Sequence, residues 1–219
     1  MGTPREDRHE QTAVVIERLE EAYPNATISL EYSNRFELLV AVVLSAQCTD
    51  ERVNQITDEL FTRYQSPRDF ATADEETVAD VIGSCTYPNS KASSLIGIGE
   101  RLLESHDGHV PDTMEELTEL PGVGRKTANV VLQHGHDTAS GIAVDTHVKR
   151  LSRRLGLTDA EDPEKIERDL LELVPEDDWK LFTHWLISHG RAVCTARSPD
   201  CESCVLEDVC PASRLEEVE

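Results

Sequence analysis

Apolar residues recur every three to four positions along most of this chain, and the strict alternation of a half-buried strand is scarce. The pattern predicts helices over 10–22, 35–46, 51–64, 74–82, 90–104, 113–119, 125–134, 144–155, 163–173 and 178–190. Several carry their own punctuation. Asp112 or Thr113 precedes "MEEL", Asp162-Pro163 opens "EKIERDLLELV", and Pro175 closes that helix. The expected fold class is all-α. Only 194–214, rich in cysteine, proline and charge, reads as unfit for a helical core.

Composition narrows the class. The 219 residues are 38% hydrophobic, enough for a sizeable core. The longest apolar run, "LLVAVVL" at 38–44, is far short of a membrane span, and "MGTPREDRHEQ" lacks the apolar stretch of a secretion signal. A soluble cytoplasmic protein with no membrane partner is expected, in which six cysteines point to metal more than to disulfides. Cys194, Cys201, Cys204 and Cys210 form C-x6-C-x2-C-x5-C, four thiolate donors that suit either tetrahedral zinc or an iron-sulfur cluster. Cys48 and Cys85 read as small buried residues.

The formal net charge of -22 argues against a polyanionic partner until its distribution is examined. Between Pro121 and Arg154 stand Arg125, Lys126, Lys149, Arg150, Arg153 and Arg154 against Asp137 and Asp145, a local balance of +4 that leaves -26 elsewhere. Only 5 of the 21 basic residues are lysine. Such an acidic, lysine-poor surface is what a protein of a very salty cytoplasm would carry, because salt screens its self-repulsion.

The chemistry is concentrated in "LPGVGRKTANVVL" at 120–132. Pro121, Gly122 and Gly124 make a turn between two helices, a helix-hairpin-helix candidate, and the unpaired amides opening the second helix suit a backbone phosphate. An acidic protein can hold DNA that way. Lys126 follows Arg125 at the positive end of that helix, where both influences favour the neutral amine a nucleophile needs, and burial would add to them. Asp145 in "AVDTHVKR" stands at another helix start, as a cap and as a carboxylate available for acid/base work. His147 reads as a packing or hydrogen-bonding residue.

"VLSAQCTD" at 43–50, "NSKA" at 89–92, "LPGVGRKTANVVL", "VDTHVKRLSRRLGL", "HWLISHGR" at 184–191 and the cysteine spacing together resemble the endonuclease III family of DNA glycosylases, in the family's order and along most of the chain. The resemblance implies two helical lobes, 23–136 with the hairpin and 1–22 plus 137–219 with a cysteine-rich cluster loop. It implies a bifunctional glycosylase and abasic-site lyase, acting as a monomer on oxidised pyrimidines in double-stranded DNA at the nucleoid. By that resemblance Lys126 is the nucleophile at C1′ and Asp145 its electrostatic and proton-transfer partner. Gln47 is the side chain inserted into the vacated base stack and Tyr87 a second wedge. Lys91, Leu120, Gly122, Val123, Gly124 and Arg125 contact DNA, and the four cysteines hold a 4Fe-4S cluster, with Arg191 and Arg197 near the phosphates. The chain departs from the family where "SCTYPNSKA" puts Thr86-Tyr87-Pro88 before the shared "NSKA". Two other readings remain: a monofunctional mismatch glycosylase, against which Lys126 argues, and a non-catalytic nucleic-acid module with a zinc-bound tail.

Overall fold

The computed structural model describes residues 5–138 and 141–213, and among these every regular element is helical. Eleven α-helices occur: α1 (Arg5–Ala22), α2 (Arg35–Leu44), α3 (Asp50–Arg63), α4 (Pro67–Ala71), α5 (Glu75–Val81), α6 (Pro88–Ser105), α7 (Met114–Thr118), α8 (Arg125–Gly135), α9 (Thr146–Arg154), α10 (Pro163–Leu173) and α11 (Trp179–Ala192). The helix that periodicity did not predict is α4. It is too short to show a period, but Ser66 and Asp69 close a capping box on it with Pro67 in the first turn.

The chain divides into two compact units, one made of the segment up to Ile28 with the chain from Gly141 onward, the other of the chain between them. In the intervening unit α2 is the central helix. It is apolar on every side and buried from Leu38 to Leu44, which is what a helix packed all round requires. It lies against α3, α6 and α8, while α4 and α5 pack on α6. The α4–α6 contact is close: a Cβ on Gly99 would stand 2.5 Å from the Pro67 carbonyl oxygen. Arg35 ties the start of α2 to the end of α8 by donating from Nε to Gly135 O at 2.6 Å.

In the discontinuous unit α1, α9, α10 and α11 surround a core of Val15, Leu19, Val148, Leu151, Ile166, Leu170, Phe182, Trp185 and Leu186, with Leu206 from the cysteine-rich segment. Thr12, Val15 and Leu19, all fully buried, form the inward stripe of α1. That helix also grips the cysteine-rich segment. Gln11 Nε2 donates to Val209 O at 2.6 Å, and Arg18 donates to Val205 O at 3.0 Å and pairs with Asp208. The described helices include none long and apolar enough to cross a membrane.

Candidate active site and cluster segment

The hairpin is built as the glycines require. Gly122 has φ 74, in the left-handed region, and a Cβ there would meet Ser94 Oγ at 2.8 Å on α6. Leu120 and Val123 are buried, and the Val123 amide closes the turn on Leu120 O at 3.1 Å. Their part is to anchor the turn, so direct DNA contact by their side chains is not what this arrangement offers. Gly124, Arg125 and Lys126 are exposed. Gly124 is the N-cap of α8 with no side-chain cap, and nothing lies within 4 Å of where its Cβ would be. The helix start is thus open for an anion to approach the backbone. Lys126, second residue of α8, projects from that turn; the protein itself does not bury it.

Asp145 is the N-cap of α9, and its Oδ1 accepts from the amides of His147 and Val148, each at 2.8 Å. Two backbone amides fix the carboxylate in place. Behind it, α9 is clamped to α11. A Cβ on Gly190 would come 2.6 Å from His147 Nδ1 and 2.9 Å from the Arg150 guanidinium. Arg150 donates to Gly190 O and Cys194 O at 3.1 Å each and lies 3.1 Å from His147 Nδ1. Burial, ahead of the charges of Arg150 and Arg191, holds the His147 imidazole below its ordinary pKa, against the opposing pull of Asp145. His147 is thus a hydrogen-bonding residue within the clamp.

Gln47 and Tyr87 share an unusual backbone. Both are non-glycine residues in the left-handed region, with φ 55 and 57. Gln47 is exposed in the turn after α2, and Tyr87, 63% exposed, is the N-cap of α6 with Pro88 at its first position. Lys91, by contrast, is 7% exposed and its ammonium is turned into the protein, so a direct contact with DNA does not fit its surroundings.

The four tail cysteines are half-buried, and Cys194, Cys204 and Cys210 pack on the core of the discontinuous unit. Burial pushes the Cys204 and Cys210 thiols up, and the neighbouring cysteines push them further. Several donors surround the sulfurs. Arg154 reaches Cys194 Sγ at 3.2 Å, the Leu206 amide lies 3.4 Å from Cys204 Sγ, and His189 Nε2 lies 3.4 Å from the same sulfur. His189 is 2% exposed, burial lowers its pKa to about 4, and Tyr23 Oη sits 3.0 Å from its Nδ1. Sequence reasoning missed His189 and Tyr23; the one available signal was a histidine five residues before the first cysteine.

Residues 40–176 match the HhH-GPD superfamily of base excision DNA repair proteins, and 194–210 match the iron-sulfur binding domain of endonuclease III. The chain is 51% identical over 196 residues to endonuclease III of Synechocystis, covering 90% of each protein. The chain belongs to the endonuclease III family. It is also 44% identical over 199 residues to endonuclease III of Escherichia coli K12, covering 90% of this chain and 92% of that one. Among solved structures, a trapped endonuclease III–DNA covalent intermediate matches with a TM-score of 0.89 at 39% identity, covering 93% of this chain and 96% of that one. A thermostable thymine-DNA glycosylase, at 20% identity and TM-score 0.83, shares the fold.

The family's cofactor is a 4Fe-4S cluster, and the cysteine segment fits it. The donors are soft sulfurs, with Cys194 and Cys201 close enough to push the Cys204 and Cys210 thiols up, and N–H groups are directed at the Cys194 and Cys204 sulfurs. The match of 194–210 to the iron-sulfur binding domain of endonuclease III favours the cluster over the zinc alternative. Arg154 also donates to Thr195 O at 2.9 Å and Ala196 O at 3.0 Å, tying α9 to the cysteine segment.

Proposed function

We propose that this chain is a bifunctional DNA glycosylase and abasic-site lyase of base excision repair, acting on oxidised pyrimidines in double-stranded DNA, with Lys126 as nucleophile. The observation that carries the reading is the exposed Lys126 amine one residue beyond an uncapped, open helix start, in a chain 39% identical to an endonuclease III captured covalently on DNA. The hairpin backbone at Gly122 and Gly124 and the first turn at Arg125 bind a phosphate and set the strand against the lysine. The amine attacks C1′, the N-glycosidic bond breaks and the base leaves with its electron pair. The C1′–O4′ bond then breaks, O4′ taking a proton, and the protonated imine left at C1′ acidifies the C2′ proton; its removal expels the 3′ phosphate by β-elimination, and water then releases the amine. Asp145, fixed by two amides, stabilises positive charge on the sugar and relays protons.

Access to the base requires flipping, since a stacked base is out of reach. In this reading Gln47 fills the gap and Tyr87 wedges the opposite strand. Cys194, Cys201, Cys204 and Cys210 ligate the cluster, whose role is to hold its segment, with Arg191 and Arg197, beside the phosphates. The protein works as a monomer at the nucleoid, and its acidic, lysine-poor composition supports the reading that it works in a high-salt cytoplasm; an activity maximum in dilute buffer would overturn that reading. The mechanism is tested by borohydride trapping on a duplex with one abasic site. The unaltered protein forms a covalent adduct and Lys126→Ala does not; failure of the unaltered protein to trap overturns the reading.

A further inference from the structure

Lys91 sits in the first turn of α6, and its amide donates to Tyr87 O at 3.1 Å. Its side chain runs inward to the other exposed turn. Nζ donates to Leu44 O at 2.7 Å and to Ala46 O at 2.8 Å, carbonyls at the end of α2 that the helix cannot pair with its own amides. A cation at that end is also favoured by the helix dipole. The neighbouring contacts repeat the link. Thr86 Oγ1 donates to Gln47 O at 2.8 Å, Cys85 Sγ lies 3.9 Å from Leu44 O, and the Cys85 and Cys48 sulfurs are 3.7 Å apart. Every one of these joins the turn bearing Gln47 to the turn bearing Tyr87.

Left-handed backbone at a non-glycine residue persists only where its surroundings enforce it, and both exposed side chains stand on such backbone. We propose that Lys91 is a positioning residue that couples the Gln47 and Tyr87 turns into one preformed wedge, presented to the duplex without contacting it. The proposal rests on the reading of the chain as a base-flipping glycosylase. Its physical content is preorganisation: two side chains already aimed lose less freedom when they enter the stack. A lysine that merely completed the core would affect folding without favouring one substrate over another.

The test compares substrates that do and do not have a stack to open. Single-turnover excision of an oxidised pyrimidine from a duplex is measured beside borohydride trapping on a single-stranded abasic oligonucleotide, for the full chain and for Lys91→Met, Lys91→Arg and Thr86→Val. The quantity read is the ratio of the duplex rate to the single-strand rate. Loss of charge-assisted hydrogen bonds in Lys91→Met lowers that ratio about tenfold or more, Thr86→Val lowers it less, and Lys91→Arg restores part of it. A 2-aminopurine beside the lesion reports the same loss as a smaller flipping signal. An unchanged ratio in Lys91→Met overturns the proposal, as do parallel losses on both substrates. If Lys91→Met does not fold, Thr86→Val carries the test, and an unchanged ratio there overturns the coupling. Failure of the unaltered protein on both substrates sinks the glycosylase reading itself.

Discussion

Gly190→Ala should destabilise the discontinuous unit, although alanine is the better helix former. In α11 the exchange gains about 1 kcal/mol in helix propensity. Against it, the new methyl would meet His147 Nδ1 at 2.6 Å, the Arg150 guanidinium at 2.9 Å and Leu151 Cδ1 at 3.2 Å, all on α9. Such overpacking costs about 1–3 kcal/mol. The Arg150 end cannot swing aside freely, because it donates to Gly190 O and Cys194 O. Losing one of those bonds costs about 1–3 kcal/mol more. The expected net loss is about 3 kcal/mol, a fall of roughly 6–12 °C in melting temperature for a chain of this size. Thermal melting of the cluster-loaded protein by circular dichroism measures it. Gly124→Ala is the control, since nothing lies within 4 Å of its Cβ position and its φ of -94 suits alanine. A melting temperature for Gly190→Ala equal to or above that of the unaltered protein would refute the argument that α9 and α11 meet too closely for a side chain.

Asp145 allows its two roles to be separated. Asparagine caps a helix as well as aspartate does, whereas alanine loses about 1 kcal/mol of cap. Asp145→Asn should therefore melt near the unaltered protein yet lose excision, and Asp145→Ala should lose both; full activity in Asp145→Asn would exclude the proton-relay role. For Cys85, burial foremost and the contact with Cys48 push the thiol up to about 11. The reactive thiolate is then scarce at neutral pH. Iodoacetamide, followed by peptide mass spectrometry on the native protein, should label Cys85 slowly at pH 7.5 and progressively faster towards pH 11; labelling at pH 7.5 at the rate of a free cysteine would contradict this.

The sequence made the helices legible because period 3.6 survives in single elements and their caps are local. Thr113 and Asp162 cap the helices they precede, whereas α4 escapes prediction because it is too short to show a period, although its capping box in "SPRD" is equally local. Relations across the chain were not legible. Counting charge from Pro121 to Arg154 made a basic island for DNA, but Arg150 and Arg154 spend their guanidinium groups on carbonyls some forty residues later, and Arg153 lies 3.2 Å from Glu161. Much of that positive charge holds the protein together. Lys91 misled for the same reason: nothing near it in sequence reveals that its acceptors are Leu44 and Ala46. Tyr87 shows the converse. The chain departs from the family at Thr86-Tyr87-Pro88, yet proline suits the first position of α6 and leaves Tyr87 exposed at the cap.

The grip of α1 on the cysteine-rich segment also constrains how the molecule is made. Arg18 and Gln11 wait for Val205, Asp208 and Val209, which leave the ribosome about ten to forty seconds later at ordinary synthesis rates. Before then the intervening unit has its whole sequence once residue 140 is made, while α9, α10 and α11, the helices that α1 packs among through its buried Val15 and Leu19, come only afterwards. The hairpin half can thus mature first on the nascent chain. The discontinuous half closes only when Val205, Asp208 and Val209 appear, so a cluster held by the cysteine-rich segment would be completed after the hairpin half and would secure the segment that α1 grips.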